Sequence, residues 1–340
     1  MNKELLNQLC LMHGVSGYEN AVRGFILSEL KKSTVPMDVT VDKMGNILVH
    51  LHGVSPAANV LQIDAHMDEV GFIITHICDN GMLRFAAIGG INDGMLFGHR
   101  VRIGNRVGVI GGKAMHQCKG DDGKKVPGAD SLLIDIGCHT AEDAAQYVEV
   151  GDTGTFDAGL TWLNENVYYG KAVDDRIGCL LLLELAMTQP AHDLWLSFST
   201  QEEVGLRGAG VATEAIKPDY IIAVDATTAA DVAGNSGADA VCKMGSGAVV
   251  SFADRATLYD SALYLRIHTI AKEHGIAAQT KTQIAGGNNA GAMQRRLTGA
   301  YTATVSLPCR YIHSPTCMGT VSDYEAMYRL ITLVAEELTQ

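Results

Sequence analysis

Residues 171–225 read KAVDDRIGCLLLLELAMTQPAHDLWLSFSTQEEVGLRGAGVATEAIKPDYIIAVD, and the spacing of their apolar positions decides the fold class. The spacing predicts a helix near Asp175–Met187, a strand at Leu194–Thr200, a helix near Leu206–Ile216 and a strand at Tyr220–Asp225. Strand-length apolar runs that alternate with helical periodicity indicate a sheet with helices packed on its faces. Upstream, Ala21–Leu30 has helical spacing, and Leu61-Gln62-Ile63-Asp64-Ala65 is a short apolar strand that ends at His66. Downstream, a helix near Leu258–His274, a strand near Ala300–Ser306 and an amphipathic helix near Asp323–Leu338 continue the rhythm. The expected class is α/β, a mixed sheet flanked by helices.

Between Gly71 and about Thr161 the texture changes. Short β-type runs such as Phe72-Ile73-Ile74, Val107-Gly108-Val109-Ile110 and Leu132-Leu133-Ile134-Asp135-Ile136 are separated by Gly and Asp/Asn clusters, a pattern of short strands and turns. The expected organisation is a main domain over residues 1–70 and 162–340, interrupted by a smaller β-rich domain over 71–161. A chain of 340 residues, 47% of them hydrophobic and only 7 of them Pro, has the composition of a globular protein with a sizeable core. Its net charge of −12 and the lack of any Lys/Arg-rich run argue against a nucleic-acid partner. The most apolar run, at Cys179–Leu183, stops at Glu184, far short of the roughly 20 residues that span a bilayer. Residues 1–8 lack the apolar core of a secretory signal and read as an amphipathic helix. The 8 cysteines, Cys118 among them, are dispersed without a C-x-x-C pair, as expected of reduced, mostly buried thiols in a cytoplasmic protein.

Ligands of α/β sheets collect beyond the carboxyl ends of the strands, so polar residues just after apolar strands are the candidates for chemistry. Five segments supply them: Asp64-Ala65-His66-Met67-Asp68, Ala172-Val173-Asp174-Asp175-Arg176, Thr200-Gln201-Glu202-Glu203-Val204, Ala223-Val224-Asp225 and Tyr311-Ile312-His313-Ser314. Each has a bland reading. A lone His is commonly a satisfied polar residue, Asp174-Asp175-Arg176 could cap a helix and form a salt bridge, and Glu202-Glu203 could be a solvated turn. Taken together, two imidazoles and three carboxylates make a donor set for a borderline cation such as Zn²⁺, and one bridging carboxylate lets five residues hold two ions. Of the adjacent Glu202 and Glu203, one could ligate while the other moves a proton. Asp68, two residues after His66, is placed to accept the other imidazole N–H.

The segments Asp64–Phe72, Lys171–Arg176, Gln201–Ala209 and Tyr311–Pro315 closely resemble, in the same order, those of the glutamyl and leucyl aminopeptidases of the tetrahedral (TET) metallopeptidase family. The resemblance extends over essentially the whole chain and implies a zinc-aminopeptidase-like catalytic domain. It implies two divalent ions per subunit, zinc, cobalt or manganese, with His66 and Asp225 on one ion, Glu203 and His313 on the other and Asp174 between them. It also implies Glu202 as the general base acting on a metal-bound water, Asp68 as the partner of His66, and a cis peptide between Asp174 and Asp175. The expected activity is removal of N-terminal residues from short peptides. The inserted domain is expected to join subunits into dimers and six dimers into a hollow dodecamer. Hydrolysis of N-acyl amino acids is the alternative chemistry for the same donor set. Relatives also carry an endoglucanase label, but glycoside cleavage by two carboxylates leaves His66 and His313 without a role. One departure stands out: Gly286-Gly287-Asn288-Asn289-Ala290-Gly291 replaces the family's Gly-Gly-Thr-Asp-Ala-Gly, exchanging a carboxylate for an amide that is expected near the substrate cleft.

Overall fold

The computed structural model describes residues 1–114, 117 and 126–340. Its largest sheet has eight strands in the order β1 (Met37–Val41), β2 (Ile47–Leu51), β12 (Leu194–Ser199), β3 (Leu61–His66), β13 (Tyr220–Thr228), β16 (Tyr301–Cys309), β14 (Ala248–Val250) and β15 (Ala278–Thr280). Strands β12, β3, β13 and β16 run parallel to one another, whereas β1, β2 and β14 join antiparallel, so the sheet is mixed. Every residue of β3 is buried, as expected of a strand covered on both faces. Its period-two alternation nevertheless survives in chemistry: Leu61, Ile63 and Ala65 face one side, and Gln62, Asp64 and His66 the other. The polar side is linked internally, with Gln62 donating to Ser197, and Ser197 and Ser199 donating to Asp64.

One face of the sheet is covered by α1 (Lys3–Leu11), α2 (Asn20–Leu30), α4 (Val173–Ala186), α6 (Ser261–Glu273) and α8 (Val321–Thr339) around the principal core. α5 (Arg207–Ile216) and the short α7 (Ala290–Met293) pack on the other face. Cys179-Leu180-Leu181-Leu182-Leu183 is fully buried because α4 lies between the sheet and other helices. That is why the helix is apolar all round rather than striped. Burying such side chains contributes roughly 1.5–3 kcal/mol each. Helices α4, α5, α6 and α8 lie where the spacing predicts them, within two or three residues. None of the helices among the described residues is long and apolar enough to cross a membrane.

The remaining strands form two smaller units. β10 (Thr161–Trp162), β11 (Val167–Gly170) and β17 (Cys317–Thr320) make a three-stranded sheet. β4 (Gly71–Ile77), β5 (Leu83–Ile88), β8 (Leu133–Asp135), β7 (Arg106–Gly111), β6 (Arg100–Ile103) and β9 (Thr153–Phe156) close into a barrel in that order, with the single-turn α3 (Ala141–Ala144) beside it. The barrel has its own core, in which Phe72 meets Phe85 and Phe156 edge-on at 5.4 and 5.2 Å. Closure leaves no unpaired strand edge. The first and last barrel strands, β4 and β9, are hydrogen-bonded neighbours, so the chain enters and leaves side by side. Seven cysteines are free, six of them buried; Cys118 lies outside the described residues.

Candidate metal centre

Four strand ends converge on a cavity of about 720 Å³ lined by His66, Asp174, Glu202, Glu203, Asp225 and His313. His66 is the last residue of β3, Asp225 lies in the carboxyl half of β13, and Glu202 and Glu203 follow β12. His66 and Asp225, 159 residues apart in sequence, meet because β12, β3 and β13 are parallel neighbours whose carboxyl ends point the same way. The loop after β12 is tightly folded: Gln201 and Leu206 adopt left-handed backbone conformations, and Gly205 has φ +118°, which only glycine tolerates. Gly208, at the start of α5, donates its N–H to the Thr200 carbonyl, and a Cβ there would lie 2.4 Å from that oxygen.

The donors fall into two groups that share one residue. His66, Asp174 and Asp225 bring ligand atoms within 4.8 Å of one another, and so do Asp174, Glu203 and His313. Asp174 is divided between them: its Oδ1 lies 3.2 Å from His66 Nε2 and its Oδ2 lies 3.3 Å from His313 Nε2. His66 Nε2 is 3.9 Å from Asp225, and His313 Nε2 is 3.3 Å from Glu203. Both imidazoles therefore turn Nε2 inward. Behind them, His66 Nδ1 is 3.1 Å from the Asp68 carbonyl and 3.3 Å from its carboxylate, and His313 Nδ1 is 2.9 Å from the Gly90 carbonyl.

Asp68 does more than its spacing suggested. Its Oδ1 accepts the backbone N–H of Glu202, and its Oδ2 accepts that of Glu203 and the Ser16 hydroxyl. One carboxylate thus ties the β3 end to the β12 end. Two further supports were not legible in the sequence. Asp175 Oδ2 accepts the His66 N–H and its Oδ1 accepts the Gly178 N–H, so the capping reading fits Asp175 while its neighbour Asp174 faces the cavity. The peptide bond between them is cis. Arg176, fully buried, donates to the carbonyls of Met67 and Leu9 and to Glu69, and Lys171 Nζ donates to Glu69 and to the Met12 carbonyl. These long-range partners leave no local pattern to read.

Asn289 is not where its motif suggested. Its amide donates to Asp64 and Ser199 on the buried polar face of the sheet, and it is Asn288 that lines the cavity. The single turn of α7, which starts at Ala290, turns the two amides in different directions.

The electrostatics are those of a site built for cations. Burial, together with the Asp174 charge, pushes the Glu203 carboxyl up to about 8. Burial and neighbouring carboxylates also raise Glu202 and Asp225 well above the usual range. Burial opposes charge on Asp174 as well, but the hydrogen bonds to His313 and His66 hold it below its ordinary value. His313 is pushed up to about 10, since its bonds to Asp174 and the charge of Glu203 outweigh burial. So many carboxylates in one desolvated site repel one another unless protons or cations neutralise them. The N/O donor set, with two inward Nε2 atoms and three carboxylates, fits borderline divalent ions.

Residues 45–330 match the M42 glutamyl aminopeptidase family. The chain belongs to that family. It is 34% identical to the putative aminopeptidase FrvX of Escherichia coli over 99% of this chain and 97% of that one. The aminopeptidase of the archaeon Desulfurococcus kamchatkensis superposes with a TM-score of 0.92 at 32% identity, covering 99% of this chain and 94% of the other. The TET1 peptidase of Pyrococcus horikoshii, which can assemble into a tetrahedron or a large octahedral shell, gives 0.87 at 32% identity over 98% and 99%. Membership makes the chain a peptide-bond hydrolase of a metal-dependent family, and the two donor groups are where this fold can hold ions.

Proposed function

We propose that this chain is a dinuclear-metal aminopeptidase that removes N-terminal residues from short peptides. His66 and Asp225 would hold one ion and Glu203 and His313 the other, with Asp174 a member of both donor groups. The observation that carries this reading is the division of Asp174, whose two oxygens face two separate imidazoles. When bound, such ions, zinc in the first instance, supply Lewis acidity, polarising a peptide carbonyl and acidifying water. Glu202, buried beside the cavity with a raised pKa, takes the proton of the attacking water and returns it to the leaving amine. Asp68 orients His66 and fixes the Glu202-Glu203 backbone. The surrounding carboxylates favour a cationic substrate end in the cavity, which suits a free α-amine better than an acylated one.

We also propose that residues 1–70 and 162–340 form the catalytic domain, and that the barrel-containing segment 71–161 joins subunits into a cytoplasmic assembly of about 12 chains. Enclosure in such an assembly favours short peptides by access.

The test pairs Glu202→Gln with Glu203→Gln. Glu202→Gln should keep its metal and lose roughly 10²–10⁴-fold in kcat, the usual worth of general acid–base catalysis. Glu203→Gln should lose one ion by elemental analysis. Activity of Glu202→Gln within a few-fold of the parent sinks the assignment of the base. Assaying aminoacyl-nitroanilides beside N-acyl amino acids separates the aminopeptidase from a deacylase built on the same donors.

A further inference from the structure

A second cluster of metal donors lies at the opposite end of the sheet. Asp38, His50 and His52 bring ligand atoms within 4.8 Å of one another, outside the cavity described above. Register explains why they meet. His50 and His52 are two apart on one chain and so share a face, Asp38 on β1 is directly opposite His50, and Trp195 on β12 is opposite His50 on the other side. Asp193 immediately precedes Leu194, which pairs with Leu51 where the β2–β12 ladder ends. The side chains already pair: His52 Nε2 is 2.9 Å from Asp38 Oδ2, and His50 Nε2 is 3.8 Å from Asp193 Oδ2.

The frame is stiff. The His50 ring stacks flat on Trp195, centroids 4.4 Å apart, and the His52 ring stands edge-on to it at 4.6 Å. The His52 N–H is tied to the Pro36 carbonyl, and the Gly53 N–H is tied to Asp193 Oδ1. The heads are freer, with 42% of the His52 side chain and 71% of Asp38 exposed, so a modest rotation can draw the donors to the ligand distance of about 2.0–2.2 Å that zinc requires. The cluster is well separated from the centre at His66. Trp195 is the second residue of β12, whereas Ser199 at its other end pairs with His66, and four residues of strand span about 13 Å.

We propose that Asp38, His50, His52 and Asp193 form a third divalent-cation site. Two imidazoles and two carboxylates suit a borderline ion, Cu²⁺ most tightly and Zn²⁺ among physiological ones, and the net charge of −12 draws cations to the surface. The bound ion bridges β1, β2 and the turn into β12, fixing the sheet's outermost strand, four of whose five residues are exposed. A folded-state ligand of this kind stabilises the chain by mass action.

Trp195 is the reporter, since the chain has 2 Trp and Trp162→Phe leaves only the indole stacked on His50. Titrating this variant with Cu²⁺ should quench Trp195 in a saturating phase of one equivalent. Adding His52→Ala or, separately, Asp38→Asn should move its midpoint by roughly 10-fold or more, the lower end of what even an outer partner of a metal ligand is worth. Peptidase activity should stay unchanged in both. After equilibration with Zn²⁺, the parent should hold one ion more than His52→Ala. Absence of a saturating phase, or equal midpoints in parent and variants, overturns the site. His66→Ala should leave the quenching intact, so failure here and failure of the dinuclear reading are read separately.

Discussion

Asp68 holds three parts of the site at once: the Nδ1 side of His66 and the backbone of both Glu202 and Glu203. Asp68→Asn keeps the volume but offers one acceptor oxygen where the native carboxylate uses two, and its amide would face an N–H. Metal affinity should fall by roughly 10–100-fold, the usual loss for such partners, and competition with a chromogenic chelator would measure it. An unchanged affinity would remove Asp68 from the design. The imidazoles make a second prediction. Without a metal, His313 is pushed up to about 10 and His66 above its ordinary value by their carboxylate neighbours, so both shifts favour the protonated ring. Ligation requires the neutral ring. Each ion must therefore expel a proton, and affinity should rise with pH between about 6 and 9. Calorimetry at pH 7 in two buffers of different ionisation enthalpy should give different heats; identical heats would show that no proton leaves.

Among the elements, the segment after β5 has a role its composition does not announce. Gly90 accepts the Nδ1–H of His313, and a Cβ on Gly90 would sit 3.3 Å from that nitrogen. Gly89 has φ +80°, and a Cβ there would lie 2.8 Å from Val70 and 3.3 Å from Glu203. The barrel side of the chain therefore leans directly on two donors of one group. Gly90→Ala should weaken the ion held by His313 and Glu203 by roughly 10-fold while sparing the ion at His66, as disturbance of an outer partner does. Stepwise metal titration resolves the two, and equal loss of both ions would indicate general distortion instead. In α4, Asp174 and Asp175 have non-helical backbones at the start of the helix, which is how adjacent acids come to serve different places.

For the whole molecule, the barrel is a closed unit with its own core, entered and left on neighbouring strands. A unit entered and left on neighbouring strands can be inserted in a fold at one place on its surface, as the proposed association through the barrel requires. Light scattering coupled to size exclusion should give a mass near 12 times the 36.2 kDa of one chain, stable on dilution. A persistent monomer refutes the assembly. Folded proteins should resist cleavage by the intact assembly while short peptides are hydrolysed, and comparable rates on both would remove selectivity by access.

The sequence by itself determined the class of fold, because the apolar periods of residues 171–225 admit little besides helices and strands in alternation. It also marked His66, Asp174, Glu202, Glu203, Asp225 and His313, which line the cavity, though not Asp239 and Asp254, which line it too. Local pattern carries that much because strand ends are set by local hydrophobicity. What it could not determine is partnership. That Asn289 turns into the sheet while Asn288 does not, that a glycine carbonyl from the β5 end orients His313, and that Asp38 meets His52, all depend on strand order and register. Those are fixed by burial of distant surfaces against one another, a property of the folded chain that no local segment contains.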